Sequence, residues 1–167
     1  QFEVNFFGAF YLVKAVLPIL RQQGYGRILF TSSVAAELSI PYQGFYSASK
    51  SAINALALAL ANEVREFGIH VAVLMPGDVA TGFTNAREKE IKGAEVYRKA
   101  HSAVAAMEKD ERSGMPPTQM ARCLYKMATN QSPKPMYVGG TIYKFFCLLN
   151  RLLPKRLVNW IVGKLYC

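Results

Sequence analysis

The sequence predicts an α/β domain built around a parallel sheet, and two segments carry that expectation. Arg27-Ile28-Leu29-Phe30-Thr31-Ser32 and Ile69-His70-Val71-Ala72-Val73-Leu74-Met75 are short runs rich in apolar and β-forming residues. The second is nearly all apolar, as a strand is when both of its faces are covered. Between them, Ala48, Ala52, Ala55, Leu56, Ala59, Leu60 and Val64 recur at helical spacing from Phe45 to Phe67. Strand, helix and strand joined by tight loops read as two parallel neighbours with a helical crossover.

The other elements follow in order. Up to Gln23 the apolar residues Phe2, Phe6, Phe7, Phe10, Leu12, Val13, Val16, Leu17 and Leu20 fall on a broad helical face, and Gly24-Tyr25-Gly26 ends it. No capping residue precedes this helix and the chain opens on Gln1, so it reads as the C-terminal part of a longer protein. Pro41 and Gly44 mark the loop before the second helix, and Pro76-Gly77 breaks the strand after it. Residues 86–112 are polar and charged and read as a helical cover. Pro116-Pro117-Thr118 opens a further helix to about Thr129, and Pro135-Met136-Tyr137-Val138 is a last short strand.

Composition narrows the function classes. With 167 residues, 51% hydrophobic and 19% charged, the chain suits one domain with a real core, residues 1–140, followed by a tail, 141–167. The net charge of +9 is unevenly placed. Residues 1–111 carry eleven basic and eleven acidic side chains, whereas 112–167 carry nine basic and no acidic ones. In the tail, Lys144, Arg151, Lys155, Arg156 and Lys164 are mixed with Phe, Leu, Trp160 and Tyr166. Its apolar stretches are too short to span a bilayer. An amphipathic helix pair at an anionic membrane surface fits this pattern, and so does a helix packed on the domain or on a second subunit. Nucleic acid is disfavoured, because the basic residues form no polar face. Cys123, Cys147 and Cys167 lack metal-ligand spacing, and His70 and His101 are too scattered for a metal site. No secretory signal is visible, so a cytoplasmic setting is expected, with peripheral membrane contact as the variant the tail allows.

Chemistry concentrates at three residues. Tyr46 and Lys50 lie four apart in Tyr46-Ser47-Ala48-Ser49-Lys50, and Ser33 lies thirteen positions before Tyr46. Residues four apart on a helix share a face. An ammonium beside a phenol favours the phenolate, so the tyrosine pKa is expected below its ordinary value of about 10. That would make Tyr46 a proton donor and acceptor, with Ser33 polarising a carbonyl oxygen beside it. Ser32 rivals Ser33, and only the spacing to Tyr46 favours Ser33. Each residue also has an ordinary reading: a half-buried tyrosine at a helix start, a solvated lysine, a serine at a strand end.

These residues, with others in the same order, resemble the short-chain dehydrogenase/reductase family. Asn5-Phe6-Phe7-Gly8, Thr31-Ser32-Ser33, Tyr46-Ser47-Ala48-Ser49-Lys50 and Pro76-Gly77-Asp78-Val79-Ala80-Thr81 are similar to its asparagine, serine, tyrosine–lysine and cofactor-closing motifs. The resemblance spans about residues 1–140. It implies a Rossmann-type doubly wound parallel sheet in three layers, α/β/α, incomplete at its N-terminal side. It implies an NAD or NADP cofactor and interconversion of a carbonyl and an alcohol, with Tyr46, Lys50, Ser33 and Asn5 catalytic. Lys50 would also bond the nicotinamide ribose, and Asn5 would hold a relay water through its backbone carbonyl. Pro76, Gly77, Val79 and Thr81 would line the nicotinamide together with Tyr46 and Lys50. Pairing through the two long helices into a homodimer or tetramer is implied as well. The apolar tail suggests a small lipophilic carbonyl or alcohol substrate. The family's glycine-rich phosphate-binding fingerprint does not occur in the sequence. A truncated or degenerate homologue acting as a non-catalytic interaction module is therefore the competing expectation.

Overall fold

Residues 1–87, 91 and 93–167 are described in a computed structural model. Three parallel strands, β1 (Gly26–Thr31), β2 (Ile69–Pro76) and β3 (Met136–Gly139), form one sheet in the order β1-β2-β3. Gly26 stands opposite Ile69 and Thr31 opposite Leu74, while Val73 to Pro76 pair with Met136 to Gly139. The central strand is therefore the one whose sequence is most continuously apolar. Its side chains alternate between two separate cores, which is why no polar alternation was written into it. Val71, Val73 and Met75 join Ile28 and Phe30 on one face, whereas Ala72 and Leu74 meet Met127 on the other.

Helices cover both faces. α1 (Gly8–Gln23) and α2 (Gly44–Glu63) lie on the first, where Ile53, Ala57 and Leu60 of α2 form a buried stripe at spacings of four and three. α4 (Pro117–Thr129) covers the second with Met120, Cys123, Leu124 and Met127. Helix, sheet and helix make the three-layer α/β/α arrangement of a Rossmann-type open sheet. The outer edge of β1 has no strand partner among the described residues.

Three local features depart from the simple reading. Glu3–Phe7, ahead of α1, is wound as a π-helix in which the Gly8 N–H donates to the Glu3 carbonyl. Among the described residues of the cover expected over 86–112, α-helix is confined to α3, Ala100–Arg112. Thr84–Ala86 forms a short 3-10 turn and residues 93–99 are mostly turns, while residues 88–90 and 92 lie outside the described residues. The physical reason for the correction is Gly93, whose φ of 82° is left-handed and incompatible with a continuing α-helix. The tail forms two helices, α5 (Thr141–Leu152) and α6 (Lys155–Tyr166), separated at Pro154. α5 turns Tyr143, Cys147 and Asn150 inward at spacings of four and three, and Cys147 joins the first core. α6 packs on α3 and α5.

Candidate active site

The site forms beyond the C-terminal ends of β1 and β2, the crevice where open parallel sheets place their ligands. β1 delivers Ser32 and Ser33. The two hydroxyls separate there: Ser32 is buried and donates to the Lys50 carbonyl at 3.0 Å. Ser33 accepts from the Ala35 N–H at 3.1 Å, and its hydroxyl is one of the groups that draw the Tyr46 pKa down. Ser32 thus ties strand to helix, whereas Ser33 is the serine that acts on the Tyr46 phenol.

α2 presents Tyr46 and Lys50 from its first two turns. Their i, i+4 spacing sets the Lys50 ammonium 5.9 Å from the centre of the Tyr46 ring. The ammonium donates to the carbonyl of Thr31, the last residue of β1, at 3.1 Å. Lys50 therefore lies over the ring instead of at the phenolic oxygen.

The expected lowering of the Tyr46 pKa is not found. Burial pushes it above its usual value; the Ser33 hydroxyl and the Arg87 guanidinium draw it down, and Glu111 and Asp78 push it further up. The sequence argument weighed the Tyr46–Lys50 pair alone. Desolvation and two carboxylates brought in by later segments set the direction, and Lys50 is not among the groups that shift it. Lys50 is itself shifted down by burial, which leaves its charge partly desolvated.

Asn5 reaches the site indirectly. Its side-chain amide donates to Ser49 Oγ at 3.1 Å, and Ser49 Oγ donates to the Tyr46 carbonyl at 2.8 Å. Asn5 sits inside the π-helical segment, a winding found frequently at functional sites.

The segment after β2 has a geometry of its own. Val79 makes a parallel bridge with Met115. The Met115 N–H donates to the Asp78 carbonyl at 2.9 Å, and the Ala80 N–H donates to the Met115 carbonyl at 3.0 Å. In such a bridge the flanking residues bond the partner, so the N–H and C=O of Val79 itself point the opposite way. One donor and one acceptor side by side match a carboxamide. Pro76 ends β2, and the Gly77 N–H donates to the Gly139 carbonyl at 3.3 Å. Thr81 is exposed, and its hydroxyl oxygen accepts from the Phe83 N–H at 3.2 Å.

Above the site, Phe83 places its ring 6.1 Å from that of Tyr46. Glu111 of α3 accepts from Thr84 at 2.7 Å and from Arg87 at 2.6 Å, which pins the turn to the helix. Gln43 donates to the Met107 sulfur at 2.9 Å and closes the same cover from below. The structure brings Ser33, Tyr46 and Lys50, the residues the sequence singles out, to one strand end. Sequence reasoning missed Asp78, Arg87 and Glu111, of which only Asp78, inside the Pro76–Thr81 motif, carried a local signal.

A sequence profile described as short chain dehydrogenase matches residues 1–92. A 3-ketodihydrosphingosine reductase of Bacteroides thetaiotaomicron is 36% identical over 170 residues, covering 99% of this chain and 63% of that protein. An uncharacterized oxidoreductase, YbbO of Escherichia coli K12, is 33% identical over 162 residues, covering 97% and 57%. A short-chain dehydrogenase structure from Streptomyces avermitilis superposes with a TM-score of 0.75 at 26% identity, covering 98% of this chain and 59% of that one. A short chain dehydrogenase/reductase from Burkholderia phymatum, solved in complex with NAD, gives 0.68 at 26% identity over 81% and 51%. The chain thus spans about six tenths of the length of these curated relatives. On the profile match and the shared motifs, it belongs to the short chain dehydrogenase family.

Proposed function

We propose that the protein is an NAD- or NADP-dependent oxidoreductase interconverting a carbonyl and an alcohol on a lipophilic substrate. The observation that carries this reading is the convergence of Ser33, Tyr46 and Lys50 at one strand end. The outward N–H and C=O of Val79 fit a nicotinamide carboxamide, and Lys50 fits a ribose hydroxyl. Pro76, Gly77 and Thr81, in the same segment as Val79, would line the nicotinamide with it. When bound, the nicotinamide supplies a hydride to the carbonyl carbon or takes it back. Ser33 donates a hydrogen bond to the substrate oxygen as negative charge develops on it. Tyr46 gives its phenolic proton to that oxygen, leaving phenolate and alcohol, and in reverse the phenolate takes the proton back. Lys50 steadies the phenolate through the ring face, and Asn5 holds the start of α2 through Ser49.

The lipophilic substrate rests on the apolar tail and on the identity to a 3-ketodihydrosphingosine reductase. α5 favours peripheral membrane contact as well: Ile142, Phe145, Leu148 and Leu152 are exposed, whereas Tyr143, Cys147 and Asn150 turn inward. Residues 112–167 carry no acidic side chain, so an anionic bilayer meets no repulsion there. Vesicles rich in anionic lipid should bind the protein and neutral ones should not; equal binding to both contradicts the surface. Association through α1 and α2 suits the exposed Tyr11, Leu12 and Ile19, and a monomeric full-length protein would oppose it.

The decisive variant is Tyr46→Phe in the full-length protein. It should lower carbonyl reduction about a hundredfold or more, the usual contribution of a positioned general acid. Turnover at the wild-type rate would overturn the assignment.

A further inference from the structure

We propose that Tyr143, on the first turn of tail helix α5, is a positioning residue for the cofactor, acting through the Gly77–Val79 segment. This rests on the NAD(P) reading above and extends it to an element outside the family motifs. The Tyr143 hydroxyl donates to Asp78 Oδ2 at 2.6 Å across 65 positions of sequence. A Cβ built on Gly77 would overlap the Tyr143 ring, so the ring lies flush on the Gly77 backbone. The other side of the segment is held by the Met115 bridge and by Gly114, where a Cβ would come within 2.5 Å of the Asp78 carbonyl carbon. Residues 77–79 are thus gripped between the tail and the turn that joins α3 to α4. The grip leaves the N–H and C=O of Val79 as the outward-facing groups of that residue. Their direction is fixed by Asp78 on one side and Ala80 on the other, and Tyr143 is the side chain that fixes Asp78.

The remaining contacts of α5 make it a firm support. Cys147 is buried in the core, and Asn150 donates to the Glu37 carbonyl at 3.2 Å. Lys155 donates to Asn150 Oδ1 at 2.9 Å, and Arg151 pairs with Glu37 at 3.5 Å. Burial and the Asp78 bond both hold the Tyr143 phenol protonated, so it remains a donor throughout the working pH range.

The test compares affinity for NADH and NADPH, read by nicotinamide fluorescence, in the full-length wild type, Tyr143→Phe, Asp78→Ala and the double variant. The phenylalanine keeps the ring on Gly77 and removes only the bond. Each single variant should weaken the Kd for the preferred cofactor about fivefold or more, as for a lost hydrogen bond to a charged group. The double variant should be no worse than the weaker-binding single, because both remove one interaction. Steady-state kinetics of Tyr143→Phe, which leaves the Asp78 carboxylate in place beside Tyr46, should show the loss in the cofactor KM with kcat within about twofold, a split that general loosening of the fold would not give. Wild-type Kd in Tyr143→Phe, or additive losses in the double variant, overturns the proposal. If Tyr143→Phe fails to fold, Asp78→Ala decides it on the same readout. Failure of the wild type to bind either cofactor overturns the NAD(P) reading itself, and the positioning role with it. A silent Tyr143→Phe beside an inactive Tyr46→Phe removes only the positioning role.

Discussion

Tyr46 and Tyr143 are two partly buried tyrosines, each on the first turn of a helix, and burial raises the pKa of both. Their partners separate them. Around Tyr46 the Ser33 hydroxyl and the Arg87 guanidinium favour the phenolate, against burial and the Glu111 and Asp78 carboxylates, and the Lys50 ammonium lies over its ring. Tyr143 is bonded to the Asp78 carboxylate, which acts only to keep its proton on. Desolvation by itself makes a tyrosine inert. Donors and cations near a phenol favour loss of its proton and an acceptor favours keeping it, and the proton exchange proposed for Tyr46 rests on that difference.

Removing what distinguishes the Tyr46 side should have the largest effect. Lys50→Met deletes the cation and the bond to the Thr31 carbonyl. Turnover in the full-length protein should fall about a hundredfold, with cofactor affinity weakened alongside. A variant retaining more than about half of wild-type turnover would show that Lys50 is only a solvated helix residue.

A smaller effect is expected on the Tyr143 side, in stability at high pH. Burial raises the Cys147 thiol from 9.0 to about 11 and the Tyr166 phenol from 10.0 to about 12, and Tyr143 is raised as well. The unfolded chain loses these protons first, at about their ordinary values, while the folded chain keeps them. Stability is therefore full below about pH 9 and is lost as the pH climbs toward 12. Thermal melting should hold a constant midpoint up to about pH 9 and decline above it; a midpoint unchanged at pH 11 would contradict the raised values.

The same contrast explains what could be read before the structure. β2 was legible because Val71, Ala72, Val73, Leu74 and Met75 serve two cores at once, which leaves a continuous apolar run. α2 and α4 were legible from the alanine-rich spacing and from Pro117 at the helix start. The π-winding of Glu3–Phe7 was not, because the apolar face there is as broad as that of an α-helix. Ser33 could be picked over Ser32 by spacing, yet which hydroxyl turns toward Lys50 depends on how β1 meets α2. The direction of the Tyr46 shift was misjudged for a related reason. Lys50 is four residues away and visible, whereas Asp78, Arg87 and Glu111 arrive from distant segments. Tyr143 on Gly77 belongs to the same class: a contact across 66 positions leaves no periodic trace.

The most direct measurement is the pH dependence of alcohol oxidation by the full-length protein, taken for the wild type and for Ser33→Ala. Oxidation needs the Tyr46 phenolate, so its rate should rise with pH through a single group titrating above neutrality. Loss of the Ser33 hydroxyl removes a bond that lowers that pKa, and the rise should move to higher pH in the variant. A rate independent of pH, or a profile that stays in place when Ser33 is removed, would contradict the assignment of Tyr46 as the proton-exchanging group.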